Sequence, residues 1–145
     1  MAASKLSFSD KIKKSIKNTK NQIDWGITNL SHDLFHLIVD KTPVGRELDG
    51  DDSPGMLVNN WQPAIGRIEL KLQQRPGPNK QGAHRRIDGV IQRGNFMKDN
   101  FVTFSNSTEY AWRAEYGGWE EPRWNGSPPY YMIRDSLIEI SSKYK

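Results

Sequence analysis

The stretch Thr42–Gln62, "TPVGRELDGDDSPGMLVNNWQ", decides how this chain is read. Thr42-Pro43 stops a helix, because the residue before a proline is pushed out of the helical region. An acidic, Gly-rich bend follows, and then an apolar run carrying Asn59, Asn60 and Trp61. Such a junction suits an enzyme hiding a site, or an assembly subunit building a hinge or contact loop.

Upstream of it, Ile12, Ile16, Thr19, Ile23, Ile27, Leu30, Leu34 and Leu37 recur at steps of three and four. This predicts one helix over 9–41 with a single apolar stripe. Ser7 or Ser9 suits its cap, and Asp10 its first turn. Gly26 is a weak point, costing about 1 kcal/mol against Ala. Downstream, Met56–Gln62 and Arg67–Leu72 predict strands. In the second, Ile68, Leu70 and Leu72 alternate with Arg67, Glu69 and Lys71. "QPAIG" between them reads as a turn.

Residues 73–83 form a long polar loop, and 84–97 a short helix weakened by Gly89 and Gly94. Asn100–Ser105 is rich in β-branched and aromatic residues and predicts a strand. "STEYAWRAEYGG" gives a helical turn that stops at Gly117-Gly118. Pro128-Pro129 opens a last helix striped by Ile133, Leu137, Ile140 and Tyr144. The order predicts an α+β class: a long N-terminal helix, a small, mainly antiparallel β-sheet, a short middle helix and a C-terminal helix packed on the sheet. We expect one domain over 1–145, with a flexible 1–8 and extended loops at 45–55 and 73–83.

The 145 residues include no cysteine, which excludes disulfides, thiol catalysis and Cys-based zinc sites. No long apolar run opens the chain, so neither a secretory leader nor a membrane partner is expected. The net charge of +4 is unevenly placed. Residues 1–20 hold six lysines against one acid, Asp10, so they carry +5 and the other 125 residues carry −1. Lys11, Lys13, Lys14, Lys17 and Lys20 are therefore candidates for contact with DNA or an acidic partner. No aromatics are interleaved with them, which disfavours base stacking.

"HDLFH" places His32 and His36 at i and i+4, with Asp33 beside the first. The pattern imitates H-E-x-x-H, in which two histidines hold zinc and a Glu acts as base. Asp is one methylene shorter than Glu, the one other histidine is His84, and no downstream ligand motif stands out. The pair therefore reads as polar residues beside the apolar stripe. "ELDGDD" lacks the alternating oxygen ligands of a calcium loop. Trp112, Tyr116, Trp119 and Trp124 with nearby arginines and glutamates suit an interface, a carbohydrate-stacking surface or local packing. No nucleophile–base pair, phosphate-binding glycine loop or supported carboxylate pair emerges, so neither catalysis nor a cofactor or metal is expected.

Several blocks together resemble the tail-component family of tailed bacteriophages, the neck or tail-completion proteins. They are "TPVGRELDG" (Thr42–Gly50), "NNW" (Asn59–Trp61), "VTFSN" (Val102–Asn106), "YAWRAEYGG" (Tyr110–Gly118) and "PPYYMIRDSL" (Pro128–Leu137). Their order covers most of 9–145, and the Tyr-Ala…Glu-Tyr-Gly block is the most specific part. The bend after Thr42 is longer than the family's compact form, and Gly50 or Gly55 fills its glycine's place.

The resemblance implies a virion protein of the head-to-tail connector, assembled in the host bacterial cytoplasm, with no catalysis and no cofactor. Its partners would be copies of itself in a ring, commonly a hexamer, adjacent head-closure or adaptor proteins, and the tail terminator or tail tube. The ring would surround channel DNA. The motif residues carried over are Thr42, Pro43, Arg46, Asn60, Trp61, Asn106, Tyr110, Ala111, Glu115, Tyr116 and Gly117. Tyr110 and Ala111 are expected to pack the short helix on the sheet, Glu115 to cap or pair locally, and Gly117 to end the turn. The loops at 45–55 and 73–83 are expected to touch neighbouring subunits or rings. The alternatives are a tail-terminator ring and a small nucleic-acid-binding module using the lysine-rich helix.

Overall fold

Ser7 caps the longest element: its Oγ accepts from the Asp10 amide at 3.2 Å. The helix α1 (Phe8–Lys41) passes through Gly26 without a break and ends where Thr42 turns extended. The computed structural model describes residues 7–44, 54–72, 77, 79–94, 96–99, 101–117 and 129–145. Arg46, Trp119, Trp124 and most of the two expected contact loops lie outside these residues. After α1 come α2 (Met56–Asn59), β1 (Trp61–Ile65), α3 (Gln81–Ile91), α4 (Phe96–Asp99), β2 (Val102–Asn106), α5 (Ala111–Tyr116) and α6 (Met132–Lys143). The chain is α+β. β1 and β2 form a two-stranded antiparallel sheet, with Trp61 opposite Asn106 and Ile65 opposite Val102.

The junction at Thr42 is closed by two buried hydrogen bonds. Thr42 Oγ1 donates to Ile38 O at 2.6 Å and accepts from Trp61 Nε1 at 2.8 Å. The end of α1 is thereby tied to the first residue of β1. Phe104 of β2 then lies between two rings, with centroids 4.2 Å from Phe35 of α1 and 4.9 Å from Trp61. Around this stack pack Ile38, Val39, Leu57, Val58, Ala83, Ile87, Ile91, Phe96, Ala114 and Met132. Burying each large aliphatic contributes about 1.5–3 kcal/mol.

Several expectations are corrected, among them the loop at 73–83, of which Gln81–Ala83 open α3 and Ala83 is fully buried. Met56–Asn59 is a helical turn, and "QPAIG" belongs to β1. Asn60 Nδ2 reaches back to Met56 O at 2.7 Å, and Asn59 Nδ2 reaches Gly55 O at 3.1 Å. These i to i−4 bonds favour a turn over a strand. Pro63 is tolerated because both strands of a two-stranded sheet are edges. Arg67–Leu72 forms no ladder. Side chains of Thr103, Ser105 and Gln62 hold the carbonyls of Arg67, Glu69 and Lys71, leaving Ile68 61% and Leu70 69% exposed. On α6 the buried residues are Met132, Ser136 and Ile140, whereas Ile133, Leu137 and Tyr144 are exposed. α6 lies antiparallel along α1, with Lys41 paired to Glu139 at 2.7 Å and Lys143 to Asp33 at 2.5 Å. On α1 the anchored face is Ser31, Phe35, Ile38 and Val39, beside the expected stripe.

Thr42→Val should leave Trp61 Nε1 buried without an acceptor and cost about 1–3 kcal/mol. Urea denaturation checks this. Ile87→Ala, at a fully buried site, should cost about 2–5 kcal/mol.

Candidate functional site

The motif residues Asn60, Trp61, Asn106, Tyr110, Ala111, Glu115 and Gly117 converge as architecture. Asn106 Nδ2 donates to Leu57 O at 2.8 Å, joining β2 to α2, and its Oδ1 accepts from the Thr108 amide. Tyr110 and Ala111 are partly buried and pack against the core. Glu115 is buried and caps α6: its two oxygens accept from the amides of Ile133 at 2.9 Å and Arg134 at 3.0 Å. A carboxylate at a helix N-terminus satisfies orphan amides and opposes the helix dipole. Gly117 ends α5 at φ 82, ψ −159, a conformation essentially reserved for glycine. Pro43 is half-buried behind Thr42, whereas Tyr116 is 69% exposed.

The lysines lie elsewhere. Every residue from Ser7 to Ile23 is exposed, so the first half of α1 leaves the body as an arm about 24 Å long. Lys11, Lys13, Lys14, Lys17 and Lys20 line it, together with the uncovered apolar residues Phe8, Ile12, Ile16 and Ile23.

A second basic surface was not read from the sequence. A cleft of about 680 Å³ has β1 as one wall and α3 as another, and it gathers Arg67, Lys71, Arg85, Arg86 and Arg93 against one acid, Glu69. Arg86 donates to Asn59 O, while its Nε is buried without a partner among the described residues. Summing the charge over 125 residues concealed this patch, because the acids that balance it lie outside the cleft.

The histidines give the most ordered polar geometry. α1 and α3 run antiparallel, so His32 and His36 meet Asp88 while His36 and Asp40 meet His84. His32 Nε2 and His36 Nε2 lie 3.1 and 2.9 Å from the same oxygen, Asp88 Oδ1. His36 Nδ1 lies 2.5 Å from His84 Nδ1, and His84 Nε2 lies 3.0 Å from Asp40 Oδ1. Burial pushes the Asp88 carboxyl up, but hydrogen bonds and charge from His36 and His32 outweigh it, so the group lies below its ordinary value. His32, His36 and Asp88 each offer one ligand atom, and these atoms lie within 4.8 Å of one another. The sequence signal was a second i, i+4 pair, His84 and Asp88, on the helical pattern of Ile87 and Ile91. It was missed because its partner helix lies some fifty residues away.

No described helix is long and apolar enough to cross a membrane. Comparison with protein-family models, curated proteins and solved structures finds no match.

Asp33 beside this cluster gives a pH-dependent tie between α1 and α6. Lys143 Nζ and Tyr144 OH both donate to its Oδ2, and the Lys143 bond most of all draws the carboxyl from 3.8 to about 2. A carboxyl lowered on folding contributes stability above its unfolded value, and that contribution is lost as pH falls through the folded one. Asp33→Asn should therefore lower the urea midpoint at pH 7. The difference from wild type should close as pH falls from 3.8 towards 2.

Proposed function

We propose that this chain is a structural subunit of the head-to-tail connector of a tailed bacteriophage. It assembles as a homo-oligomeric ring that joins portal-side components to the tail. The observation that carries this reading is the uncovered arm of α1. A helix that presents apolar side chains to water draws little stability from its own sequence, because most helix stability comes from a packed face. A neighbour covering Ile12, Ile16 and Ile23 supplies that face.

A closed ring needs two different, complementary patches on each subunit. The arm is one. The extended segment with exposed Ile68, Leu70 and Leu72 is a second apolar patch, on another part of the chain. The sequence blocks give the reading its phage context, and the structural roles of Asn106, Glu115 and Gly117 suit a motif that serves architecture. The lysines and the basic cleft favour non-specific contact with channel DNA inside the same ring. A tail-terminator ring would use the same two patches and differ in the ring it stacks upon.

When the gene for this chain is silenced during infection, DNA-filled heads and finished tails should accumulate unjoined. Joined, infectious particles would overturn the proposal. The double change Ile12→Asp and Ile16→Asp should leave the stability of the isolated chain within about 0.5 kcal/mol, since both sites are exposed. The same variant should be lost from purified particles.

A further inference from the structure

We propose that His32, His36 and Asp88 bind one divalent transition-metal ion, zinc by preference, at the crossing of α1 and α3, with His84 and Asp40 as positioning residues. The site lies within one chain and does not depend on the connector reading.

The donor set fits. Two imidazoles and a carboxylate with one open position are a common zinc environment, and the same ligands suit cobalt(II) and nickel(II). Zinc bonds of about 2.1 Å at tetrahedral angles set neighbouring ligand atoms about 3.4 Å apart. Asp88 Oδ1 already stands 3.1 and 2.9 Å from the two ring nitrogens. The ligand atoms all lie within 4.8 Å of one another, so side-chain shifts of about an ångström bring the three to zinc spacing. His32 and Asp88 keep side-chain exposures of 43% and 42%, so an ion and a water ligand can enter.

The surrounding hydrogen bonds are those that a ligating histidine uses. Such a histidine fixes its ring by donating from its other nitrogen. His32 Nδ1 approaches Asp33 Oδ1 at 3.4 Å, and His36 Nδ1 meets His84 Nδ1 at 2.5 Å. The rings of His36 and His84 are within 9° of parallel. At that N–N separation they meet edge to edge, as an N–H···N bond requires.

Matching donors to acceptors then favours the ion over metal-free neutral rings, with tautomers assigned from these contacts. With neutral rings and no metal, His36 donates through Nε2 to Asp88, so its Nδ1 must accept from His84 Nδ1. His84 Nε2 is then a lone pair facing the Asp40 carboxylate at 3.0 Å. With a metal on His36 Nε2, His36 Nδ1 donates to His84 Nδ1, and His84 Nε2 donates to Asp40. Every contact then has one donor and one acceptor. The ion would cross-link two helices at the body end of the arm.

The test is a cobalt(II) titration of the full chain carrying no histidine tag. We expect the visible bands of four-coordinate cobalt, saturating at one ion per chain and bleached by one equivalent of zinc. Zinc should raise the melting temperature of wild type. His32→Gln and Asp88→Asn, each checked for fold by circular dichroism, should lose both the bands and the zinc-induced rise. His84→Ala should keep the bands, because the ligands are unchanged, but weaken zinc binding roughly 10- to 100-fold. Absence of bands in wild type at saturating cobalt would overturn the site, whatever the variants do. So would bands or zinc stabilisation in His32→Gln and Asp88→Asn equal to those of wild type.

Discussion

The hydrogen bond from Trp61 Nε1 to Thr42 Oγ1 ties the end of α1 to the start of β1, and the rest of the body is arranged about it. Both residues are almost fully buried, so neither group has water as an alternative partner. Proline at 43 makes Thr42 leave the helix at this point, and the Thr42 hydroxyl then bonds on both sides of the junction. With Trp61 placed, Phe104 can sit between it and Phe35, which sets β2 against β1 and both against α1. The odd composition of the stretch follows from this geometry, because a helix stop, a bend and an aromatic anchor are needed within about twenty residues.

Much of this was legible because it rests on local chemistry. The ends of α1, the strand at 102–106 and the stop at Gly117 follow from a cap, a proline, β-branched residues and a glycine. The capping role of Glu115 lay within its expected range, although the helix it caps is distant in sequence. What escaped the sequence depends on neighbours. The run Met56–Val58 is apolar in either conformation, and the asparagines that follow it choose a turn. The alternation of Arg67–Leu72 is real, but side chains of Gln62, Thr103 and Ser105 take up its carbonyls and turn its apolar side outward. Ser136 escaped because a small hydroxyl that bonds Met132 O at 2.6 Å can be buried in a helix contact, where polarity alone would put it in water.

The candidate sites divide in the same way. The lysine-rich segment was visible as charge, but its standing free of the body was not, because the apolar stripe looked ready to pack along its whole length. The basic cleft and the histidine cluster come from residues brought together by α1, β1 and α3. Only half of the cluster could be read as a motif. The arm and the cluster share one helix. His32 and His36 lie where α1 is held by α3, and Asp33 lies where it is held by α6. The direction of the arm is therefore set by polar contacts as well as by Phe35, Ile38 and Val39. In a ring, the orientation of that arm would decide which surface of the next subunit it meets.

The most direct measurement is cryo-electron microscopy of the intact particle at its head–tail junction. A ring of this chain is expected there, with residues 8–23 of each subunit packed against the Ile68–Leu72 segment of a neighbour. A junction without this chain, or a ring in which the arm stays in solvent, would contradict the connector reading.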